Sequence, residues 1–237
     1  MNIAFYPILA RRTSVLSLLL KGGIGLAYQS ALIIGLLLVF CARAHAGGQV
    51  EEKLAASVQA LLHRAVSDDG APKLVFDSEA EAQAWLAEMS ARLEKKIPDA
   101  ETRVNFLKTM HYEAKRAGLD PQLVLGLIQV ESNFRKYAVS SAGAMGAMQV
   151  MPFWVRLIGN QEHSLFQLRT NLRYGCAILR FYLDQEKGDL YRALGRYNGS
   201  LGKPDYPYAV LSNWQHNWSY RPPARAGTAR VAAAPTQ

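Results

Sequence analysis

Apolar side chains recur along this chain every three or four residues, with almost no run of alternating apolar and polar positions, so the pattern predicts helices and very few strands. Residues 51–65 read as a short helix, and 67–72 as a turn-rich linker. Ser78 with Glu81 forms a capping-box pattern ahead of Trp85, Leu86, Met89 and Leu93, and Pro98 closes that segment. A helix is expected over 100–117 with Gly118 as its stop, and Asp120-Pro121 then starts another, Asp as N-cap and Pro at the first helical position. Residues 134–152 lose the periodicity and are rich in Gly, Ala and Ser, which predicts a folded loop. Helices resume over 153–159, 170–186 and 189–196. The expected fold class is all-α: a helical domain over 99–218, preceded by a helical N-terminal region and linker over 47–98. Residues 219–237, with Pro222, Pro223 and Pro235, read as a disordered tail. No internal repeat is evident.

The first 46 residues stand apart. They hold Arg11, Arg12, Lys21 and Arg43 and no acidic residue, then an apolar run from Ala31 to Phe40, then the small-x-small pattern Ala44-His45-Ala46. This is the form of a signal peptide, and it predicts export to the periplasm or cell envelope. Two other readings stay open. Ile24 to Ala42 is uncharged and nearly long enough to anchor the chain in a membrane if uncleaved. Acylation of Cys41 is opposed by bulky Phe40 beside it.

Of the formal net charge of +8, four charges lie in the leader. The remaining mild positive charge suits an anionic partner such as the cell wall. Export and the absence of a concentrated basic stripe argue against nucleic acid, and no obligate protein partner is evident. Without the leader Cys176 is the one cysteine left. It lies on a stripe with Leu172, Leu179 and Leu183, the position of a buried, inert thiol. His63, His111, His163 and His216 lack ligand spacing, so no metal or other cofactor is expected.

The helix from Pro121 carries the first chemical signal. At about 100° per residue from Leu123, Leu127 falls near 40°, Val124 near 100° and Ile128 near 140°, with Glu131 at about 80°, inside the apolar arc. A carboxylate there is paired, or turned to solvent because the helix ends near Val130, or desolvated with a raised pKa as a general acid requires. No Asp or Glu follows between Ser132 and Gln161. Gly143 and Gly146 permit close backbone approach, Gln149 offers paired amide groups, and Met148 and Met151 offer a soft apolar wall, a surface suited to sugar rings.

Glu131-Ser132-x-Phe134, followed by Ser140-x-x-Gly143-Ala144-x-Gly146-x-Met148-Gln149-x-Met151-Pro152, resembles the soluble lytic transglycosylase (SLT) family, relatives of goose-type lysozyme. Asn171-x-x-x-Gly175, Tyr197-Asn198-Gly199 and Tyr206 with Val210 and Leu211 are similar to its later motifs, in order, over about residues 100–212. The chain departs from the family pattern at Ala147, where leucine is usual, and at Ser200, where the family more often reads Tyr-Asn-Ala-Gly. Tyr208 is a second candidate for the closing tyrosine.

The resemblance implies a lysozyme-like helical catalytic domain acting on peptidoglycan glycan strands. It implies non-hydrolytic cleavage between N-acetylmuramic acid and N-acetylglucosamine, leaving 1,6-anhydromuramic ends. It makes Glu131 the catalytic acid and base, with Ser140, Gln149, Met151, Tyr197, Asn198 and Tyr206 on the substrate and Tyr206 beside Glu131. Most glycosidases use two carboxylates. Of the others here, Asp184, Glu186, Asp189 and Asp205 remain possible as a second group, the first three reading as solvated helix and turn charges. Two alternatives remain: a lysozyme-like hydrolase, and a non-catalytic wall-binding or secretion-apparatus subunit.

Overall fold

Three acidic or hydroxyl caps set where the early helices begin. Ser78 accepts from the Glu81 N–H at 3.2 Å, Asp99 from Thr102 at 2.8 Å, and Asp120 from Gln122 and Leu123 at 2.6 and 3.3 Å. Each satisfies amide groups that a helix N-terminus otherwise leaves without partners. The computed structural model describes residues 49–67 and 70–222. The expected leader (1–46) and most of the expected tail (from 223) lie outside them.

The helices are α1 (Ala56–Val66), α2 (Glu79–Leu93), α3 (Ala100–Arg116), α4 (Pro121–Ser132), α5 (Phe153–Ile158), α6 (Leu168–Gln185), α7 (Leu190–Asn198) and α8 (Asp205–Asn213). A π-helical turn, Trp214–Trp218, continues α8. Among the described residues there is no strand, only antiparallel bridges pairing Val139 with Met145 and Met145 with Val150 inside the glycine-rich loop. The all-α expectation is therefore met, with one addition: the pattern did not reveal α8 or its π-helical extension.

Helix α4 lies at the centre, against α3, α8 and the π turn. Leu123, Val124, Leu125, Leu127 and Ile128 are all buried. Leu125 points away from the arc read in the sequence, so α4 is a core helix apolar on most sides rather than a surface helix with one stripe. Gly126 makes this packing fit, since a Cβ there would meet the Trp214 backbone nitrogen at 2.9 Å. On the other side of the molecule α6 packs against α1, α3 and α7.

Leu62, Val66, Trp85, Met89 and Leu93 from α1 and α2 belong to the same core cluster as α4 and α6. Arginines secure the C-terminus of α1: Arg173 donates to the Val66 carbonyl at 3.3 Å and Arg116 to that of Ala65. Both fill carbonyls a helix end leaves open. The chain stays ordered past 218, because Arg92 donates to the carbonyls of Asn217 and Ser219 at 3.0 and 2.9 Å. Among the described residues no helix is long and apolar enough to cross a membrane.

Candidate active site

Glu131 sits in the last turn of α4, one residue before Ser132 and Asn133 end the helix. Asn133 and Phe134 both take left-handed backbone angles, φ 51° and 67°. That is unusual for a phenylalanine, and the buried Phe134 ring is held edge-on between Phe106 and Trp218, centroids 5.9 and 5.3 Å apart. The reversal carries the chain directly from Glu131 into the glycine-rich loop.

Three elements pin that loop over the end of α4. Ser132 donates its hydroxyl to the Ala147 carbonyl at 2.7 Å. From α6, Asn171 accepts from the Met148 N–H and donates to the Met145 carbonyl, both at 2.8 Å. From α7, the Tyr197 hydroxyl donates to the Met148 carbonyl at 2.8 Å. Gly146, at φ 77°, lies so close to Asn171 that a Cβ would fall 2.3 Å from its amide nitrogen, so only glycine fits there.

The Glu131 carboxyl receives the Tyr206 hydroxyl on Oε1 at 2.5 Å. Glu131 as a residue is half-buried. Desolvation nonetheless dominates and pushes its pKa up to about 8, against the Tyr206 hydrogen bond, which lowers it. Tyr206 and Tyr197 are both buried, and burial together with the nearby Glu131 carboxylate raises their own pKa values well above the ordinary tyrosine range. Of the three states open to Glu131 in the sequence, the arrangement is the desolvated, acid-favouring one.

The other expected site residues divide. Tyr197 and Tyr206 lie within electrostatic reach of Glu131. Met151 is half-buried at the exit of the loop, and Asn198 is buried at the end of α7. Ser140 closes the loop's own turn by accepting from the Ala144 N–H at 3.0 Å. Gln149, at a positive φ of 49°, donates its amide nitrogen to the Ala138 and Gly146 carbonyls at 3.2 and 2.9 Å, so it ties the loop to itself. Tyr208 is 62% exposed and pairs with Tyr191, away from the carboxyl, which leaves Tyr206 as the tyrosine on Glu131. Ser132 and Asn171 were visible only as motif letters; their work in holding the loop depends on contacts 15 and 23 residues away.

Glu186 differs from expectation. Rather than a solvated charge, its side chain is 8% exposed and held by Arg192 and Arg196, and those hydrogen bonds keep its carboxyl below the usual range. Asp184 pairs with Arg180, and Asp189 caps α7 by accepting from the Arg192 N–H. All three are committed elsewhere. Cys176 is buried and burial raises its thiol pKa, as the stripe implied. Among the described residues no group of three His, Cys, Asp or Glu side chains could hold a metal ion. A separate groove of about 800 Å3 runs between α1 and α6, past Val58, Leu61 and Phe181. Glu131, Tyr197 and Tyr206 are not among the residues lining it.

Residues 108–205 match the model of the transglycosylase SLT domain. The chain is 33% identical over 113 residues to a "Transglycosylase" of Enterobacteria phage PRD1, which covers 45% of this chain and 42% of the relative. It is 51% identical over 47 residues to "Membrane-bound lytic murein transglycosylase C" of Actinobacillus pleuropneumoniae serotype 5b (strain L20), 20% of this chain and 13% of that one. The protein of the same name from Haemophilus influenzae (strain PittEE) is 47% identical over 47 residues, with the same shares. The chain thus spans less than half the length of these relatives. No solved structure gives a significant match. The segment that carries Glu131, its pinned loop and Tyr197 is thus the part of the chain that is similar to a transglycosylase SLT domain.

Proposed function

We propose that the protein is an exported peptidoglycan lytic transglycosylase of the periplasm or cell envelope, with Glu131 as its single acid and base. The observation that carries this reading is the half-buried Glu131 carboxyl, its pKa pushed up to about 8 by desolvation, with Tyr206 donating to Oε1. A carboxylic acid whose Oε1 accepts from a tyrosine has its own proton on Oε2. That proton passes to the glycosidic oxygen as the C1–O bond of the muramic residue breaks. The resulting carboxylate then takes the proton of the substrate's C6 hydroxyl while O6 bonds to C1. The proton returns to Glu131, no water is consumed, and a 1,6-anhydro ring is formed.

Intramolecular attack needs no second carboxylate to activate a water and lowers the entropic cost of aligning the nucleophile. Asp184, Glu186 and Asp189 are occupied with arginines or a helix cap. In this reading Met151 lines the sugar-facing wall, and Ser140, Gln149 and Tyr197 act on the substrate through the loop they hold in shape behind it, with Asn198 buried next to Tyr197 at the end of α7. The test is digestion of purified peptidoglycan in heavy-oxygen water followed by mass spectrometry. Unlabelled 1,6-anhydromuramic ends are expected; labelled reducing ends mean a lysozyme-like hydrolase, and no cleavage means a binding subunit.

A further inference from the structure

Gln49, at the start of the described chain, is only 5% exposed although its neighbours Val50, Glu51 and Glu52 are all exposed. Its side-chain carbonyl accepts from the Met151 N–H at 3.3 Å, 102 residues away. Its Nε2 is buried, faces the Tyr197 hydroxyl, and makes no hydrogen bond of normal length. Tyr197 in turn lies within the field of the Glu131 carboxylate. A primary carboxamide has thus been inserted between Met151 and Tyr197, one end well matched and the other not.

The mismatch identifies a better ligand. A buried N–H donor without a partner is unfavourable, whereas a methyl group in the same place needs none. An acetamido group presents the same carbonyl with a methyl beside it, and the amino sugars of peptidoglycan carry that group. We propose that the segment leading from Gln49 is an internal plug. Its carboxamide fills, in cis, the place at Met151 and Tyr197 that a substrate acetamido group is to take, and substrate must displace it. This rests on the cleft being the substrate site, as proposed above.

The rest of the segment is held in a way that permits release. Glu51 pairs with Arg156 at 3.4 Å, both side chains largely in solvent, and Glu52, itself partly exposed, reaches Arg196 at 3.6 Å. Such pairs hold weakly and yield to salt. Packing against the core begins with Leu54, just before α1, in which His63 binds the Ile158 carbonyl at 3.0 Å and Leu62 enters the core. Residues 49–53 can leave without unseating α1.

The experiment uses the full chain with Glu131→Gln to prevent turnover, and measures binding of a chitin oligosaccharide by calorimetry. Adding Gln49→Ala is expected to lower Kd roughly tenfold, the effect of opening a site that is free about a tenth of the time. In the active background KM for peptidoglycan should fall with kcat unchanged. Unchanged or weaker oligosaccharide binding by Gln49→Ala overturns the plug. Should that variant not fold, reversal of both tethers (Glu51→Lys with Glu52→Lys) decides in the same way. If binding tightens but no variant cleaves peptidoglycan, the plug stands and the enzymatic reading falls. Cleavage with unchanged binding leaves the reverse.

Discussion

The Tyr206 hydroxyl reaches Glu131 Oε1 at 2.5 Å across 75 residues of sequence, joining α8 to the end of α4 at the candidate acid. Burial drives the carboxyl toward its neutral form, while the tyrosine partly restores its ability to ionise. A group that must give a proton and then take one back needs both influences.

Replacing Glu131 with Gln keeps the carbonyl that Tyr206 donates to, so the fold should persist while lysis is lost. Turbidity clearing of purified peptidoglycan is expected to drop by at least about 10²-fold, with an unchanged circular dichroism spectrum. Clearing near the wild-type rate would dismiss Glu131 as the acid.

The pH dependence has a defined sign. Glu131 donates only while protonated, so activity should fall as pH rises through about 8. Stability follows the same group. The unfolded carboxyl releases its proton near its ordinary 4.5 and the folded one near 8. The folded chain therefore binds more protons in between, and its stability declines as pH climbs through that window. In Glu131→Gln this decline should flatten, a difference of about 1–3 kcal/mol above pH 8, read from urea denaturation at several pH values. Parallel stability curves for the two proteins would contradict it.

Removing the tyrosine hydroxyl tests the pair from the other side. Because Tyr206 lowers the Glu131 pKa, Tyr206→Phe should move the alkaline limb of the activity profile upward, and kcat should fall by about 10–100-fold. A limb that stays in place, or shifts downward, would show that the bond does not tune the carboxyl.

The helices and the odd position of Glu131 could be read from the chain because their causes are local. Asp120 caps within three residues, and Glu131 interrupts an apolar series only a turn away. The surroundings of the site were legible only as motif letters. Whether Gln149 faces sugar or its own loop depends on a positive φ. Gln49 gained its place from a contact 102 residues distant. Helix α8 begins at Asp205, right after Pro204, without a side-chain cap, and its π-helical extension is held by the Trp218 indole donating to Gln129 at 2.6 Å. Neither end has a local signature. Glu186 looked solvated because its arginine partners follow it by six and ten residues, a spacing that only the turn into α7 brings together.

Asn171 offers a test of the loop apart from the acid. Asn171→Ala leaves the Met148 N–H without its partner and takes one of two donors from the Met145 carbonyl, which the Val150 N–H still reaches at 3.0 Å. One buried group so orphaned should cost about 1–3 kcal/mol, and the loosened loop should raise KM. Leu at this position is expected to do worse, since Gly146 already lies against the side chain. Denaturation midpoints and oligosaccharide affinity check both; an intact midpoint in Asn171→Ala would remove this residue from the loop's support.

A final prediction concerns a charge the sequence pattern hid altogether. Glu113 on α3 is fully buried, and its carboxylate meets Arg116 at 3.1 Å and Arg169 and Arg173 at 3.3 Å. Two of these partners lie 56 and 60 residues away on α6. Arg173, itself only 8% exposed, is also the donor to the last carbonyl of α1, so the same carboxylate orients the residue that docks that helix. Glu113→Gln preserves shape but withdraws the negative charge. Arg173 is then left buried with other guanidinium groups near it and no carboxylate to balance them, a change that costs about 3–5 kcal/mol when one member of a buried ion pair is removed. The loss should begin at α1, whose amides over 56–66 are expected to lose hydrogen-exchange protection before those of α4. Because α4, Tyr206 and the pinned loop are built without Glu113, chain that remains folded at low temperature should retain its cleavage chemistry. Replacing Glu113 and Arg173 together by Leu and Met should recover part of the lost stability, since an apolar pair leaves no charge stranded. A Glu113→Gln protein as stable as wild type, with α1 equally protected, would mean that the arginines find solvent and that the cluster does not hold α1 in place.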